Sequence, residues 1–393
     1  FIGRLFINAL QVIVIPLILA AVISGVSAFG DLSKIGRTGY RIILYFAGTS
    51  AIAVVIGLAL ALVIRPGSGV SAETLRAFGA SGGYPIGHVT DMLAALIPFN
   101  LASGIVNGQY FGLILFSVLA GGILATMGAG ARTVTTFFRQ LNDVLMKLVR
   151  LVLLAAPLGV FSLIGSAVAN NRISLQGLTE GFGLYALAIF IGLALQAFVI
   201  LPLILARFAG RSPVEYIRNL SPALWTALGT GSSAATLPVT YRCAVGEGRL
   251  DNRAGALVLP LGTVANLNGT VISVVIATIF LSNVYGIALS ALDLIFVAVT
   301  ALLVSIGAAG VPMATPIIST IVLGVAGFTP VQIIAGTGLI VAVDWLVDRG
   351  RAVVNVWGDA VGAAVIAETF EFKTARRPSA RAADKKREST RSP

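Results

Sequence analysis

Five polar side chains recur along the last hydrophobic segment of the chain, residues 330–367. At about 100° per residue of an α-helix they fall within an arc of about 80° and form one stripe: Asp344, Asp348, Arg351, Asn355 and Asp359. Charged groups inside a hydrophobic span are costly and normally face a cavity or a partner. Ion pairs that only lock helices together are the alternative, but five polar groups on one face favour a binding site.

The residue types in this stripe indicate the ligand. An arginine fork binds a carboxylate through two hydrogen bonds, and a nearby carboxylate suits an ammonium group. Further carboxylate, amide and backbone oxygens suit a hard cation such as Na⁺. A zwitterion with an additional carboxylate, bound together with a cation, would satisfy all three requirements.

The composition requires a bilayer around these residues. Of the 393 residues 57% are apolar and only 11% charged, with a mean hydropathy of +0.96, whereas soluble domains carry about a quarter charged residues. Several apolar runs exceed the roughly 20 residues of a spanning helix, so the chain is predicted to be an all-α polytopic membrane protein. These runs cover residues 42–64, 111–130, 184–206, 254–282 and 294–325.

The cysteine and histidine content excludes other kinds of site. Cys243 is the only cysteine and His88 the only histidine. A disulfide framework, a cysteine-rich metal site and a histidine-based triad or proton relay are therefore excluded.

The net charge of +11 is concentrated at the C-terminus and in short loops. Eight Lys and Arg residues fall in the last 21 residues, so 371–393 is predicted to be a disordered basic tail on the cytoplasmic side of the plasma (inner) membrane. This distribution fits a topology signal better than nucleic-acid binding. Basic loops at 31–41 and 131–150 are also expected on the cytoplasmic side, with spans at about 5–29, 42–64, 92–129, 144–168 and 181–206.

The alternation of spans breaks in the second half. Loops 207–218 and 242–253 are both basic, so the stretch 219–241 between them is predicted to enter and leave on one side. Pro222, Pro238 and the small residues between them fit a re-entrant hairpin. A second Gly- and Pro-interrupted segment, 294–327, follows the span 254–282. Paired interruptions of this kind indicate inverted repeats around a transporter's binding site, and two unrelated kinked helices are the alternative.

Four motifs in this order resemble the dicarboxylate/amino-acid:cation symporter family, which includes the glutamate transporters. Residues 228–238 (LGTGSSAATLP) are similar to its serine-rich first hairpin tip, 266–270 (NLNGT) to its NMDGT motif, 307–312 to its second hairpin tip, and 343–359 to its final helix. The resemblance covers almost the whole chain. It implies a glutamate-transporter-like fold with inverted repeats and two re-entrant helical hairpins, with the family's first transmembrane helix expected to be missing before Phe1.

The resemblance also implies roles for individual residues. Arg351 would bind the substrate's side-chain carboxylate with help from Thr270, and Asp348 would bind its amino group. The full substrate set is Arg351, Asp348, Asn355, Thr270, Ser232, Ser233, Val311 and Ala352. The cation set is Asp359, Asn266, Asn355, Thr49, Ser50, Asn268, Gly262 and Ser305. The coupling ion would be Na⁺, with H⁺ as a second candidate.

The same resemblance implies a division of the chain between a scaffold and a moving transport domain in a homotrimer that works by elevator-type alternating access. The scaffold would comprise 1–41 and 65–169, including an extracellular loop, and the transport domain would comprise 42–64 and 170–370. Within the latter we expect hairpin 1 at 219–241, a helix at 254–282, hairpin 2 at 294–327 and a helix at 330–369.

The sequence departs from the family pattern at several positions near these sites. Asn268 stands where the motif has Asp, so one coupling ion is expected to be lost, weakened or replaced. Ala352 and Val264 each replace a usual Thr, and Phe46 lies where an aromatic hydroxyl is often found. Some family members carry an arginine at the position of Gly231 and others at the position of Arg349, and this chain carries it at the second.

The residues discriminate between substrates. A neutral amino acid would leave the buried guanidinium of Arg351 without a carboxylate partner, which argues against such substrates. A C4 dicarboxylate carries no amine to neutralise Asp348, which argues against dicarboxylates. Acidic amino acids are therefore predicted, with a C4-dicarboxylate:cation symporter as the alternative. An intramembrane enzyme that used Ser232 or Ser233 as nucleophile would have no histidine or intramembrane lysine as its base. A pure channel would conduct without accumulating substrate.

Overall fold

The computed structural model describes residues 2–28, 37–68, 100, 102, 110–155, 158, 161–162, 175–306 and 314–369. Every regular element within these ranges is helical. The helices are α1 (Ile2–Ala28), α2 (Arg37–Ile64), α3 (Tyr110–Met127), α4 (Arg132–Leu153), α5 (Leu175–Leu195), α6 (Pro213–Thr230), α7 (Ser233–Val245), α8 (Asn252–Ala265), α9 (Asn268–Tyr285), α10 (Ala291–Ser305), α11 (Ala314–Val325) and α12 (Pro330–Thr369). A π-helical segment, Gln196–Ile200, continues α5, and a second, Leu205–Ala209, follows a short α-helical turn.

Four helical stretches of the described chain are long and apolar enough to cross a bilayer: Thr38–Ile64, Gly112–Leu145, Gly181–Ala209 and Asn252–Tyr285. In Asn252–Tyr285 almost the whole apolar window is buried by protein, whereas about a third is buried in the other three. The exposed apolar side chains of those three suit lipid contact. The prediction of an all-helical polytopic membrane protein is confirmed at this level.

The core surrounds α9 and α12. All residues of α9 except Asn283 are buried, and α9 packs against α2, α5, α10, α11 and α12. The α12 segment 351–360 is almost entirely buried as well. Because both helices are enclosed by protein, their polar side chains must find partners within the bundle.

One expectation about the first half was wrong. The stretch 131–150, predicted as a basic loop, is helical: it continues from α3 through a 3-10 turn, Gly128–Ala131, into α4. The positive charges of this stretch are typical of a cytoplasmic loop, but its apolar residues recur at the spacing of an α-helix. Phe138, Leu141 and Leu145 pack with α1, so α4 is an amphipathic helix.

The second half contains a tight helical pair where hairpin 1 was expected. Helices α6 and α7 pack against each other and are joined by Gly231 and Ser232. Gly231 ends α6 in the left-handed conformation (φ 62°), which favours glycine. The Ser232 hydroxyl accepts a hydrogen bond from Ala235 N (3.1 Å) and caps α7. The pair therefore places a short polar turn at its tip.

The predicted continuous helix 254–282 is divided. Asn266 (φ −117°, ψ 59°) and Leu267 (φ −93°, ψ 55°) leave the helical conformation between α8 and α9. This break frees backbone groups inside the bundle, which requires local polar partners. The predicted final helix, in contrast, has the same bounds as α12. The tail 371–393 and the second hairpin tip, including Val311, lie outside the described residues.

Candidate functional site

The centre of the site is a buried cluster of charges on α12. Arg351 Nη1 donates to Asp344 Oδ1 (2.8 Å) and Nη2 to Asp344 Oδ2 (3.2 Å), and Nη2 also donates to Asp348 Oδ1. Asp344 and Arg351 are each 2% exposed. The two-point contact with Asp344 fixes the plane of the guanidinium. Asp344 therefore orients Arg351, and Asp348 is a second carboxylate on the same guanidinium.

One helical turn along α12, Asn355 connects this helix to the start of α9. Its Oδ1 accepts from Gly269 N (2.9 Å), and its Nδ2 donates to Thr270 Oγ1 (3.4 Å). A Cβ at Gly269 would lie 3.0 Å from Arg351 Cα and 3.0 Å from Arg351 O. Glycine thus permits the close approach that brings Thr270, Asn355 and Arg351 together.

Asp359 is buried without a positive partner among the residues that the structure describes. Its Oδ1 accepts a hydrogen bond from Asn266 Nδ2 (3.0 Å), and Asn266 Oδ1 accepts one from Thr49 Oγ1 (3.0 Å). An ionised carboxylate in such an interior is strongly disfavoured unless a cation or a proton neutralises it. Thr49 of α2, Asn266 of the α8–α9 break and Asp359 of α12 thus form one buried hydrogen-bonded chain that ends on a carboxylate.

A neighbouring contact involves Ser50 and Asn268, where Ser50 Oγ donates to Asn268 Oδ1 (3.0 Å). Asn268 is fully buried, and its Nδ2 lacks a hydrogen-bond partner in the described part of the chain. The family resemblance placed Thr49, Ser50, Asn266 and Asn268 together in the cation set. In the structure Thr49 binds Asn266 while Ser50 binds Asn268, so adjacent residues of α2 contact both asparagines of the break.

Close glycine contacts keep this region compact. A Cβ at Gly262 would lie 2.5 Å from Asp359 Oδ1. A Cβ at Gly358 would lie 3.0 Å from Asn266 Nδ2 and 3.2 Å from Asn268 Nδ2. Gly262, which the resemblance places in the cation set, therefore lies directly against Asp359.

Arg349 lies off the stripe, exposed, and reaches the tip of the α6–α7 pair. Its Nη1 donates to Gly229 O (2.8 Å) and Leu228 O (3.3 Å) at the C-terminus of α6. A cation is favourable at this end of a helix. The guanidinium is therefore close to Gly231, the position with which the sequence paired it.

The remaining predicted residues contribute less direct contacts. Ser232 caps α7, and Ser233 Oγ is buried with no hydrogen-bond partner in the described chain. Ser305 is buried at the C-terminus of α10, where its hydroxyl bonds Leu302 O (2.8 Å). Ala352 is buried in the core.

Sequence reasoning missed one aromatic residue of the site. Tyr45 OH donates to Gly358 O (3.2 Å), and its ring lies against Gly362. The sequence drew attention to Phe46 as lacking a hydroxyl, but the adjacent Tyr45 brings one to the backbone next to Asp359. The spacing of Tyr45 and Thr49, one helical turn apart on α2, was the signal that could have identified it.

The site therefore offers two kinds of chemistry within about four turns of α12. The cluster of two carboxylates and one guanidinium can exchange partners with an ammonium and a carboxylate. The Asp359 region offers carboxylate, amide and hydroxyl oxygens, the ligands that hard cations prefer.

Comparison with known proteins places the whole described site within one family. The model of the sodium:dicarboxylate symporter family matches residues 1–369. The chain is 32% identical to excitatory amino acid transporter 3 of Oryctolagus cuniculus over 416 residues, covering 93% of this chain and 78% of that protein. It is 30% identical to excitatory amino acid transporter 1 of Ambystoma tigrinum (93% and 76% covered) and 29% identical to a putative sodium-dependent excitatory amino acid transporter of Caenorhabditis elegans (94% and 83% covered). The chain belongs to the sodium:dicarboxylate symporter family.

Proposed function

We propose that this symporter couples the entry of Na⁺ to the uptake of acidic amino acids, and that the α12 stripe binds both. The names of its relatives support this function: they are excitatory amino acid transporters, one of them called sodium-dependent. The observation that carries the assignment to α12 is the buried triad of Asp344, Arg351 and Asp348. The protein acts as a transporter and not as an enzyme.

The triad favours an acidic amino acid over a dicarboxylate. Two carboxylates face one guanidinium, so the cluster leaves a negative charge to be balanced. The ammonium of an amino acid supplies the balancing positive charge at Asp348, while its side-chain carboxylate replaces Asp348 on Arg351. A C4 dicarboxylate would add two negative charges and no positive one. Asn355, Thr270 and the hairpin tips complete the pocket, with Ser232, Ser233 and the backbone near Val311 holding the α-carboxylate.

The cation site is assigned to the oxygens around Asp359. Asn266 and Asn355 share one ion with Asp359, and Thr49, Ser50 and Asn266 serve a second. The backbone at Gly262 and at Ser305 adds further oxygens. This assignment gives the buried Asp359 the positive partner that its environment requires.

Transport requires the site to open alternately to each side of the membrane. We assign 42–64 and 170–370 to a moving domain and 1–41 and 65–169 to a trimeric scaffold, with α6–α7 and α10–α11 as re-entrant hairpins. The basic tail lies on the cytoplasmic side of the plasma (inner) membrane. The contact of Arg349 with the carbonyls of the α6 tip supports a role in holding that hairpin against α12.

Uptake into proteoliposomes tests the substrate assignment. With an inward Na⁺ gradient, radiolabelled aspartate or glutamate is expected to accumulate above equilibrium, and unlabelled succinate is expected to compete at least about tenfold more weakly, because it cannot neutralise Asp348. Accumulation driven equally well by a proton gradient without Na⁺ would identify H⁺ as the coupling ion. Strong competition by succinate would instead favour the dicarboxylate alternative.

The neutral residue Asn268 is expected to reduce ion coupling. Restoring the family's charge with Asn268→Asp should strengthen the apparent Na⁺ affinity about tenfold or more, because a carboxylate attracts a cation more strongly than an amide does. The Na⁺ concentration that gives half-maximal uptake into proteoliposomes measures this affinity for both proteins. An equal Na⁺ affinity in the parent and the variant would contradict a weakened cation site at Asn268.

A further inference from the structure

Gln196 is a buried polar residue that the proposed mechanism does not use. It is fully buried, and both its amide nitrogen and its amide oxygen lack hydrogen-bond partners among the described residues. A buried amide left in this way is costly, and such groups in native proteins are rare. Gln196 also begins a π-helical segment, a local irregularity that is frequent at functional sites.

Contacts on either side of Gln196 place it against the site. One turn before it, Leu193 Cδ2 lies 3.2 Å from the Cβ position of Gly269, and Leu193 Cδ1 lies 3.2 Å from that of Gly350. Immediately after it, Ala197 O accepts a hydrogen bond from Trp357 Nε1 (3.1 Å). This face of the helix is therefore packed on the part of α12 that carries Arg351, Asn355 and Asp359.

The π turn directs Gln196 and Leu201 to the same side. Leu201 N donates to Gln196 O, so Leu201 lies one π turn beyond Gln196. Leu201 Cδ1 is 3.8 Å from the Cβ position of Gly358, and Asn268 Nδ2 is 3.2 Å from the same point. Gln196 therefore shares a helix face with Leu201, and Leu201 reaches the junction at Gly358 where Asn268 Nδ2 also lies. Among the described residues the amide oxygen of Gln196 has no donor and Asn268 Nδ2 has no acceptor.

An asparagine in a cation site has a problem of orientation that an aspartate does not have. Only its oxygen can bind the cation, whereas a rotated amide presents N–H groups that repel it. Partners fix the other two asparagines: Asn266 Nδ2 donates to Asp359, and Asn355 Oδ1 accepts from Gly269 N. For Asn268 only the oxygen has a hydrogen-bond partner within the described ranges, Ser50 Oγ.

We propose that Gln196 is a positioning residue for Asn268. In the cation-bound protein Gln196 Oε1 accepts a hydrogen bond from Asn268 Nδ2, which keeps Asn268 Oδ1 turned toward Ser50 and the cation. This inference rests on the proposed cation site. One hydrogen bond would then pair two buried groups that have no partner among the described residues, Gln196 Oε1 and Asn268 Nδ2.

A double-mutant cycle tests the proposal, using Gln196→Leu, Asn268→Asp and the combination in the full chain. The apparent Na⁺ affinity is measured from the Na⁺-dependent rise in melting temperature. Gln196→Leu alone should weaken it about five- to tenfold, the effect of one hydrogen bond on the amide's orientation. In the Asn268→Asp background the same change should weaken it less than about twofold, because both carboxylate oxygens can face the cation.

The conservative variant Gln196→Glu retains an acceptor and should bind Na⁺ at least as tightly as the parent. Should Gln196→Leu fail to fold, Gln196→Met replaces it in the cycle with the same expectation. Equal weakening in both backgrounds, or none in either, would overturn the proposal. Asp359→Asn distinguishes a wrong role for Gln196 from a wrong cation site. If Asp359→Asn abolishes the Na⁺-dependent rise in melting temperature while Gln196→Leu has the same effect in both backgrounds, only the role of Gln196 is wrong. An unchanged response in Asp359→Asn would remove the cation site, and this inference with it.

Discussion

Replacing Arg351 with alanine is expected to abolish Na⁺-driven uptake of aspartate and glutamate. The guanidinium is buried, is fixed by Asp344 and contacts Asp348. Truncating one partner of a buried, hydrogen-bonded charge pair costs about 2–5 kcal/mol of binding free energy, so the affinity for the substrate carboxylate should fall at least about thirtyfold. Uptake by purified protein in proteoliposomes is the measurement.

Loss of uptake alone would not separate binding from folding, because Arg351→Ala leaves two buried carboxylates without their cation. The double variant Arg351→Ala/Asp344→Asn removes one of these charges and should recover thermal stability without recovering uptake. Arg253→Ala, at an exposed arginine, is the matched control and should retain uptake. Acidic substrates transported at parental rates by Arg351→Ala would contradict the assignment of the carboxylate to this guanidinium.

Replacing Asp359 with asparagine is expected to remove the stabilising effect of Na⁺. Asp359 is 1% exposed, and its described partner is the amide of Asn266. A unit charge about 4 Å from a cation contributes roughly 4 kcal/mol at an effective dielectric of about 20, so Na⁺ affinity should fall at least about a hundredfold. In the absence of Na⁺ the variant should be at least as stable as the parent, because a buried charge has been removed.

Asp293→Asn is the matched control for Asp359→Asn. Asp293 is also buried (4% exposed), but its carboxylate forms a capping box with Ser290 at the start of α10. Its replacement should lower stability by about 1 kcal/mol and leave the Na⁺ dependence of the melting temperature unchanged. A Na⁺ response lost equally in both variants would indicate a general effect on the fold and would count against a cation at Asp359.

The polar stripe of α12 could be predicted because helical periodicity is local. All five of its members are buried in the structure, and Arg349, predicted off that face, is exposed. The basic stretch 131–150 shows the limit of the same reasoning. Its charges were interpreted as a loop, although the apolar spacing of Phe138, Leu141 and Leu145 is that of a helix packed on α1.

The partners of the stripe could not be predicted in the same way, because they come from distant parts of the chain. Tyr45 bonds the backbone at Gly358, and Thr49 reaches Asn266, through contacts that only the packing of α2 on α9 and α12 creates. Gln196 carried no sequence signal, since its burial depends on the π turn that directs it inward. The motif resemblance indicated which residues belong to the site. Buried polar atoms without hydrogen-bond partners and close contacts at glycines depend on long-range packing, so the sequence could not predict them.

Substrate-induced thermal stabilisation, titrated with and without Na⁺, tests the coupled site on α12 most directly. Aspartate or glutamate should raise the melting temperature of the parent protein in Na⁺ and by far less in choline or K⁺. Arg351→Ala/Asp344→Asn should lose the response to substrate while retaining the response to Na⁺. Asp359→Asn should lose the response to both, because substrate binding depends on the cation. Stabilisation by aspartate that is equally strong without Na⁺, or that persists in the Arg351 variant, would contradict this account.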